Sequence, residues 1–414
     1  MNNKEYTRER KKRMLKQQIV KMPEITDDIE SENREIKRRK LRRLLILVSS
    51  IAFAVVSFSL AWYLYARNYV YTSHTEVSSI EFPEGNAPKF IRYADNLIRY
   101  TRDGISYINA KGVVVWTIPY EMKNPVVVIS GSYAAVSDIR GTKVVICDTK
   151  GEVGSFTTGL PIVKCDVSSV GISTVVLEDS KANYLQYYNK DGSRIDIEIE
   201  WLISKNGYPL DISLSPNASL LAVSLMYMDA GVLQNHVVFY NFSKKGQNIP
   251  DGLSGGFKMS GDAIVPRVHF FDDEHAVAFA DNAVLLYSTQ NEIKVENTKT
   301  IELEGEVKSI LYDESKFGIV SNNVNGTERY ILKLYNKNGT KINDILFDFE
   351  YSNIEIGKKY IMMFGNNKFM IYNMYGVCKY SGEMDFDIMN IDETSSISRF
   401  LITGSKGMHE IELK

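Results

Sequence analysis

The distribution of apolar and polar residues divides the chain into a short charged segment, one long apolar run and a large remainder. The apolar run, residues 44–66, contains no Asp, Glu, Lys, Arg, Pro or Gly over 23 residues. As an α-helix it would be about 34 Å long, which is enough to cross a hydrocarbon core of about 30 Å. The pattern therefore predicts one transmembrane helix at 44–66, followed by a short linker at 67–75.

Beyond this run, short β-branched and aromatic segments recur about every 8–12 residues, separated by Gly, Asn and Asp. The clearest repeated feature is a hairpin end, in which an apolar strand is followed by Asn or Asp and then, after two or three residues, by Gly. It is found at 147–151, 188–192, 335–339 and 372–376, and in weaker form elsewhere. Gly supplies the positive φ that a tight turn needs, and Asn or Asp hydrogen-bonds to the backbone of its own turn.

Successive turns of this kind lie about 37–54 residues apart, and a four-stranded repeat of about 40–45 residues is typical of the blades of a β-propeller. The last unit, 387–414, has only three predicted strands, and residues 76–82 supply a candidate fourth from the other end of the domain. Pairing the two ends would remove an exposed sheet edge. We predict an all-β domain at 76–414 that forms an eight-bladed β-propeller. Seven blades is the alternative, if 208–256 or the last unit is not a true blade.

Residues 1–43 form a basic arm with 15 Lys and Arg against 8 Asp and Glu, a net charge of +7 in a chain whose net charge is −2. Because the arm has few apolar residues, we expect it to be largely disordered. Its basic residues directly before the apolar run are Lys37, Arg38, Arg39, Lys40, Arg42 and Arg43.

Positive charge flanking a span stays cytoplasmic, so these residues predict a cytoplasmic N-terminus and an extracytoplasmic C-terminal domain in the cell membrane, with the lipid bilayer as a partner. Trp62, Tyr63 and Tyr65 close the run and would form the outer interfacial belt. A cleaved signal peptide is the competing interpretation, but its apolar region would be only about 7–15 residues long.

The repeat units resemble those of the quinoprotein (PQQ-like) and WD40-like propeller superfamily, in a divergent form that keeps the apolar strand and the Asn/Asp…Gly turn. The layout of arm, span and propeller resembles a family of Gram-positive, clostridial-type single-pass membrane proteins defined as a domain of unknown function. The resemblance implies a fold and a location. It implies no functional residue, because the Trp-Asp pairs of WD40 repeats and the Trp-docking motif of quinoprotein dehydrogenases are absent.

The sequence contains no recognisable motif of a catalytic, metal-binding or cofactor-binding site. The five histidines form no HExxH or HxH pair, the three cysteines form no CxxC, and GxSxG, P-loop and dinucleotide motifs are absent. The spacing leaves open a bridge between Cys147 and Cys165. We identify no catalytic, cofactor-binding or metal-ligating residue and predict no cofactor and no enzymatic activity. The acidic balance of the large part disfavours a nucleic-acid partner.

The fourth repeat unit has unusually long loops, at 227–236 and 251–261, and lengthened loops carry binding functions more often than regular turns do. The candidates for a partner surface are Tyr227, Met228, Asp229, His236 and Phe257.

We predict a non-enzymatic binding or scaffold module in the bacterial cell envelope, holding a protein, peptide or glycan beside the membrane. One alternative is a cell-surface enzyme or quinoprotein-like domain. Another is a transmembrane sensor that relays ligand binding to the basic arm. The sequence makes no prediction of oligomeric state.

Overall fold

The computed structural model describes residues 3–19, 25–82, 88–94, 96–109, 112–259, 261–324 and 326–414. The chain forms two compact units, Met1–Tyr69 and Val70–Lys414. The described part of the first unit is helical up to Asn68, and that of the second unit consists mainly of β-sheet.

The first unit contains helices α1 (Asn3–Ile19) and α2 (Ile25–Asn68). The part Glu32–Asn68 is long and apolar enough to cross a membrane, and its most apolar window has no buried residue. The predicted span at 44–66 lies inside this helix. Membrane anchors and signal sequences both contain a helix of this kind.

The side chains expected at the two ends of the span lie along α2. The three predicted belt residues are exposed near its end, and the six basic residues are exposed directly before residue 44. Their sequence order is therefore kept along one continuous helix.

The basic arm, for which the sequence predicts a largely disordered segment, is helical wherever the structure describes it. Lys, Arg and Glu have high helix propensity, which favours helix without a packed core. The described side chains of the arm are all exposed. Residues 1, 2 and 20–24 lie outside the described residues.

The described part of the second unit contains 32 strands in eight four-stranded sheets. Seven sheets, blades 1 to 7, each consist of four strands that follow one another in sequence, with antiparallel neighbours. Their strands are β2 (Lys89–Tyr93), β3 (Asn96–Tyr100), β4 (Gly104–Ile108) and β5 (Val114–Pro119); β6 (Pro125–Ser130), β7 (Tyr133–Asp138), β8 (Lys143–Asp148) and β9 (Gly151–Thr157); β10 (Ile162–Val167), β11 (Ser173–Glu178), β12 (Ala182–Tyr188) and β13 (Arg194–Leu202); β14 (Tyr208–Leu214), β15 (Leu220–Asp229), β16 (Val232–Asn241) and β17 (Leu253–Lys258); β18 (Arg267–Phe270), β19 (His275–Phe279), β20 (Ala283–Ser288) and β21 (Glu296–Glu302); β22 (Val307–Tyr312), β23 (Lys316–Asn322), β24 (Tyr330–Asn336) and β25 (Lys341–Phe347); β26 (Asn353–Ile356), β27 (Tyr360–Gly365), β28 (Lys368–Asn373) and β29 (Cys378–Glu383).

Blade 8 combines the two ends of the domain. Its strands are β1 (His74–Glu81), β30 (Ile388–Glu393), β31 (Arg399–Gly404) and β32 (Gly407–Leu413), in the order β1-β32-β31-β30. The sequence predicts this pairing for residues 76–82. The eight-bladed propeller is thus confirmed. The seven-bladed alternative is wrong, because 208–256 belongs to a complete blade and the last unit gains β1 as its fourth strand.

The segment before β1 is already attached to the propeller. The N–H of Tyr71 donates to the Lys379 carbonyl at 2.8 Å, and the N–H groups of Thr72 and Ser73 donate to the Lys414 carbonyl. The predicted linker at 67–75 is therefore divided between the end of α2, a short connection and the propeller.

The core lies between neighbouring blades, because both faces of each sheet are covered. Between blades 4 and 5, the ring of Phe239 packs against those of Phe270 and Tyr287, with centroids 6.2 and 5.0 Å away. In β27 all residues but the last are buried, so the strand is a continuous apolar run without alternation. First strands of neighbouring blades also contact one another, which places them around the centre of the ring.

The repeated Asn/Asp…Gly motif joins the third and fourth strands of the blades. In blade 7 the Asn373 side chain accepts hydrogen bonds from the N–H groups of Tyr375 and Val377, both at 3.0 Å, and Gly376 has a φ of 81°. In blades 1 to 7 the pairing of these two strands shifts register just before the turn. The motif therefore has the same structural position in each blade that carries it.

Candidate binding site

The long loop predicted at 227–236 is the end of a projecting hairpin in blade 4. Strands β15 and β16 each have ten residues, whereas their neighbours β14 and β17 have seven and six. Pairing with β14 stops at Met226 and pairing with β17 stops at His236. The hairpin therefore extends beyond the sheet on both sides, with Met228 68% exposed and Val232 51% exposed near its tip.

Four of the five predicted surface residues come together on this hairpin. The Tyr227 hydroxyl lies 2.9 Å from Nε2 of His236, and their rings are 4.7 Å apart. Burial lowers the pKa of His236, and the charge of Lys258 lowers it further. Asp229 lies 3.9 Å from the Lys258 ammonium, beside the exposed Met228.

Phe257, the fifth candidate, is not brought to this surface. It lies in β17, half-buried, with its ring centroid 4.8 Å from that of Tyr287. Its neighbour Lys258 is the residue whose side chain lies beside Asp229 near the tip of the hairpin.

Two adjoining cavities of about 640 and 850 Å³ lie between the blades, at the end where first strands turn into second strands. The larger is lined by these turns in blades 1 to 7, and the smaller mainly by first strands of blades 1 to 5. Both are lined by Arg92, Ile129, Ser130, Pro216, His269 and Phe270. A volume of a few hundred cubic ångströms is typical of small-molecule sites.

Asp211 is the centre of an ionic cluster in the smaller cavity. Its Oδ1 lies 3.2 Å from Nζ of Lys164 and 3.5 Å from a guanidinium nitrogen of Arg267. The Asp211 side chain is 4% exposed, whereas those of Lys164 and Arg267 are 36% and 50% exposed. The carboxylate is thus buried, and the two cations are open to the cavity.

Asp211 and Asp166 also join the first strands of neighbouring blades. Oδ2 of Asp166 accepts the N–H of Leu214 at 2.7 Å, and Oδ2 of Asp211 accepts the N–H of Val268 at 3.0 Å. These bonds connect blade 3 to blade 4 and blade 4 to blade 5. Both carboxylates therefore have a structural role that does not depend on a ligand.

Burial sets the protonation of the groups around this cluster. It raises the pKa of Asp166 to about 7, an effect to which the charge of Asp211 adds. Burial, together with Arg267, lowers the pKa of His269 to about 4. The imidazole is therefore neutral at pH 7, and its ring lies 4.3 Å from that of Tyr312.

A second group of carboxyls lies on the first strands of blades 7 and 8. Glu393 pairs with Arg92 at 3.3 Å and accepts the N–H of Lys359 at 3.0 Å. Burial raises the pKa of Glu355 to about 8, with a contribution from Asp392. Burial also raises the pKa of Asp392 to about 6.

Among the described residues, no group of three or more His, Cys, Asp or Glu side chains is arranged to hold a metal ion. The three cysteines are free, so Cys147 and Cys165 do not form the bridge that their spacing left open. The prediction that the protein is not an enzyme stays a prediction.

A model of a family of unknown function, DUF5711, matches residues 67–413. The chain belongs to this family. Its function is therefore not given by its family, and the attribution to Gram-positive, clostridial-type membrane proteins stays a prediction. The DUF5711 chain has no match among curated proteins.

Several solved structures are similar to this DUF5711 member. One is BamB from Moraxella catarrhalis, with 12% identity, a TM-score of 0.49, and coverage of 82% of this chain and 100% of that one. Another is the Dos1 propeller, with 9% identity, a TM-score of 0.49, and coverage of 83% and 94%. Hydrazine synthase from Kuenenia stuttgartiensis has 10% identity, a TM-score of 0.44, and coverage of 77% and 100%. Similarity of this degree carries no information on function.

The cavity residues of the DUF5711 chain were missed in the sequence, although a weak signal exists. First strands of five blades carry polar residues two positions apart, on one face of a mainly apolar strand. The pairs are Lys164 with Asp166, Asp211 with Ser213, Arg267 with His269, Asn353 with Glu355, and Asn390 with Asp392. The distance from such a pair to the repeated turn differs between blades, from 18 residues for Glu355 and Asn373 to 28 for Ser213 and Asn241, so the turns alone do not align the pairs.

We expect replacement Glu355→Gln to stabilise the protein at high pH and to leave it unchanged at pH 4.5. The folded-state pKa near 8 exceeds the ordinary value of 4.5, so the stability that the protonated carboxyl contributes is fully present below pH 4.5 and is lost as the pH rises to 8. One pKa unit corresponds to about 1.4 kcal/mol, and for this partly exposed side chain we expect a gain on the order of 2 kcal/mol at pH 9. Chemical unfolding at pH 4.5 and 9 measures it. The exposed Glu302→Gln is the control, and parallel pH profiles for wild type and Glu355→Gln would contradict the expectation.

Proposed function

We propose that the chain is a membrane-anchored, extracytoplasmic β-propeller that acts as a non-enzymatic binding or scaffold module in the bacterial cell envelope. Its proposed partners are the lipid bilayer and an envelope protein or peptide, and a nucleic acid is not among them. The apolar helix supports the anchor, and the six basic residues before residue 44 support a cytoplasmic N-terminus.

The projecting hairpin of blade 4 is the observation that carries the binding role. Along its extension the hairpin pairs with no further strand within the described residues, and it exposes Met228 and Val232 to solvent. Methionine is common at protein-binding surfaces because its flexible thioether adapts to different partners. Exposed aliphatic side chains contribute through apolar burial, which favours a protein or peptide over a glycan.

The charge of the hairpin changes little near neutral pH. Lowering of the His236 pKa by burial keeps this imidazole neutral at pH 7 and hydrogen-bonded to Tyr227. The tip thus offers an apolar centre next to the polar Asp229 and Lys258, an arrangement common at the centre and rim of interfaces.

A single experiment on intact cells tests both parts of this proposal. We expect Met228→Cys to be labelled by a membrane-impermeant maleimide, and a sulfonated heterobifunctional crosslinker on this thiol to give one discrete protein adduct. The control is Ile342→Cys, which is 42% exposed on blade 6 and should be labelled without giving that adduct. The wild-type chain corrects for its three native cysteines.

Each result of this experiment has a defined meaning. Failure of both thiols to react until the cells are lysed would contradict the extracytoplasmic location. Labelling of both, with the same adducts from position 228 and position 342 or with none, would contradict the hairpin as the partner surface.

A further inference from the structure

The smaller cavity contains charged side chains that are not part of the proposed hairpin surface. Within the described part of the chain, its lining contains three cations, Arg92, Lys164 and Arg267, and two carboxylates, Asp166 and Asp211. Arg92 is already paired with Glu393, outside the cavity lining. The balance of charge in the cavity is therefore decided by Lys164 and Arg267 against the two aspartates.

The hydrogen-bonding capacity of these groups is unequal. Asp211 uses one oxygen for both cations and the other for the N–H of Val268, and Asp166 accepts the N–H groups of Val167 and Leu214. An ammonium has three donors and a guanidinium has five, so one shared acceptor occupies few of them. Lys164 and Arg267 therefore have more donors than this acceptor occupies, and both residues line the cavity, whereas the carboxylates accept hydrogen bonds from the backbone.

The net charge around Lys164 and Arg267 favours a ligand with a single negative charge. Two cations face the Asp211 carboxylate, while buried Asp166 is close to half-protonated at neutral pH and His269 is neutral. About half a positive charge is thus left over, and it rises to one when Asp166 is protonated. A monoanionic carboxylate would balance it, and a phosphate dianion would exceed it.

Apolar side chains form a large part of the remaining lining, together with polar ones such as Ser130, Ser137 and Ser213. Val128, Ile129 and Val163 line the same cavity, which has a volume of about 640 Å³ and adjoins the larger cavity at the turns. Ligand pockets of this size are mostly apolar, with a few charged groups that fix the orientation of the ligand. Hydrogen bonds from charged donors such as these to a carboxylate are stronger than those between neutral groups.

We propose that this cavity binds a small organic acid, with its carboxylate held by Lys164 and Arg267 and its apolar body against Ile129 and Val163. The guanidinium offers a planar pair of donors that matches a carboxylate, and the ammonium adds a point charge beside it. The ligand class is thus a monocarboxylate with an apolar body. This site goes beyond the proposed function, and its failure would leave the hairpin surface and the membrane anchor standing.

The test compares two fluorescent probes that differ in the carboxylate. The full-length chain in lipid nanodiscs is titrated with dansylglycine, which has a free carboxylate, and with dansylamide, which has none; empty nanodiscs are the blank. We expect dansylglycine to bind at least tenfold more tightly than dansylamide. Inorganic phosphate should not displace it at concentrations at which benzoate does. Equal affinities for the two probes, or displacement by phosphate as effective as by benzoate, would overturn the proposal.

Variants locate the site. Lys164→Gln is expected to weaken dansylglycine binding by about tenfold or more while leaving Arg267 to pair with Asp211, and Lys164→Arg should largely restore it. Lys294→Gln removes the same charge from an exposed position and is expected to change nothing. Unchanged affinity in a folded Lys164→Gln chain would place the probe elsewhere.

A second variant keeps the test decisive if Lys164→Gln fails to fold. Ile129→Trp fills the junction of the two cavities without changing a charge, and we expect it to abolish dansylglycine binding. Full binding in this variant would overturn the proposal. If neither variant folds, the comparison of dansylglycine with dansylamide on the wild-type chain still decides between the outcomes.

Discussion

Replacement of residues 74–82 by a Gly/Ser segment of equal length is expected to lower the melting temperature of the propeller by about 10 °C or more, or to prevent its folding. Strand β1 is the only partner of β32 on that side of blade 8 within the described residues, and Ile80 and Phe82 pack with apolar residues of blades 1 and 8. Full burial of such a side chain stabilises by about 1.5–3 kcal/mol, and these two partly buried side chains contribute a share of it in addition to the strand pairing. Total stabilities are only about 5–15 kcal/mol, so the loss is a large fraction of the whole.

The matched control for this replacement is Val77→Ser in the intact strand. Val77 is 43% exposed in β1, so its apolar contribution is small and the pairing with β32 is kept. We expect its melting temperature to stay within about 2 °C of the wild type, because exposed substitutions usually change stability little. Differential scanning calorimetry of the full-length chain in detergent measures both. If the Gly/Ser replacement melts like the wild type, the two ends of the chain do not close the ring.

The fold could be predicted because the repeated turn is specified by residues that are close together in the sequence. The turn that contains Asn373 and Gly376 encodes its own conformation through a side-chain hydrogen bond and a positive φ, and the same residues recur in other blades. The closing strand was predictable for a different reason. The last unit lacked one strand, and residues 76–82 had strand character without a neighbouring partner.

The cavity site was harder to predict because its residues are far apart in the sequence. Asp211 is 47 residues from Lys164 and 57 residues from Val268, and these separations depend on the length of each blade. No sequence motif fixes such a spacing. The hairpin of blade 4 was found because its extra residues are contiguous in sequence.

Phe257 shows how context changes a local assignment. The sequence 251–261 is rich in glycine and reads as a loop, yet residues 253–258 form β17 because they pair with β16. Strand propensity depends strongly on such pairing and burial. Phe257 therefore faces the core between blades, although its neighbours in sequence suggested a surface.

The replacement Gly192→Ala is expected to cost about 3 kcal/mol or more, and Gly231→Ala only about 1 kcal/mol. Both glycines have a positive φ, 85° and 82°, so both substitutions carry the strain of the left-handed region, about 1 kcal/mol. The difference lies in their surroundings. A Cβ at Gly192 would lie 2.3 Å from the Ser155 carbonyl oxygen of blade 2, whereas a Cβ at Gly231 meets nothing within 4 Å.

The contact at Gly192 cannot be relieved by a side-chain rotation, because its partner is backbone. The turn of blade 3 or strand β9 of blade 2 would have to move, and overpacking of this kind costs about 1–3 kcal/mol in addition to the backbone strain. Equilibrium unfolding in urea measures both variants. If they lose equal stability, the turn glycines are selected for φ alone. If Gly192→Ala loses at least 2 kcal/mol more, the glycine of the repeated turn is also needed for the close approach of neighbouring blades. The same position carries Gly in blade 6, where a Cβ at Gly339 would lie 2.4 Å from the Leu286 side chain of blade 5.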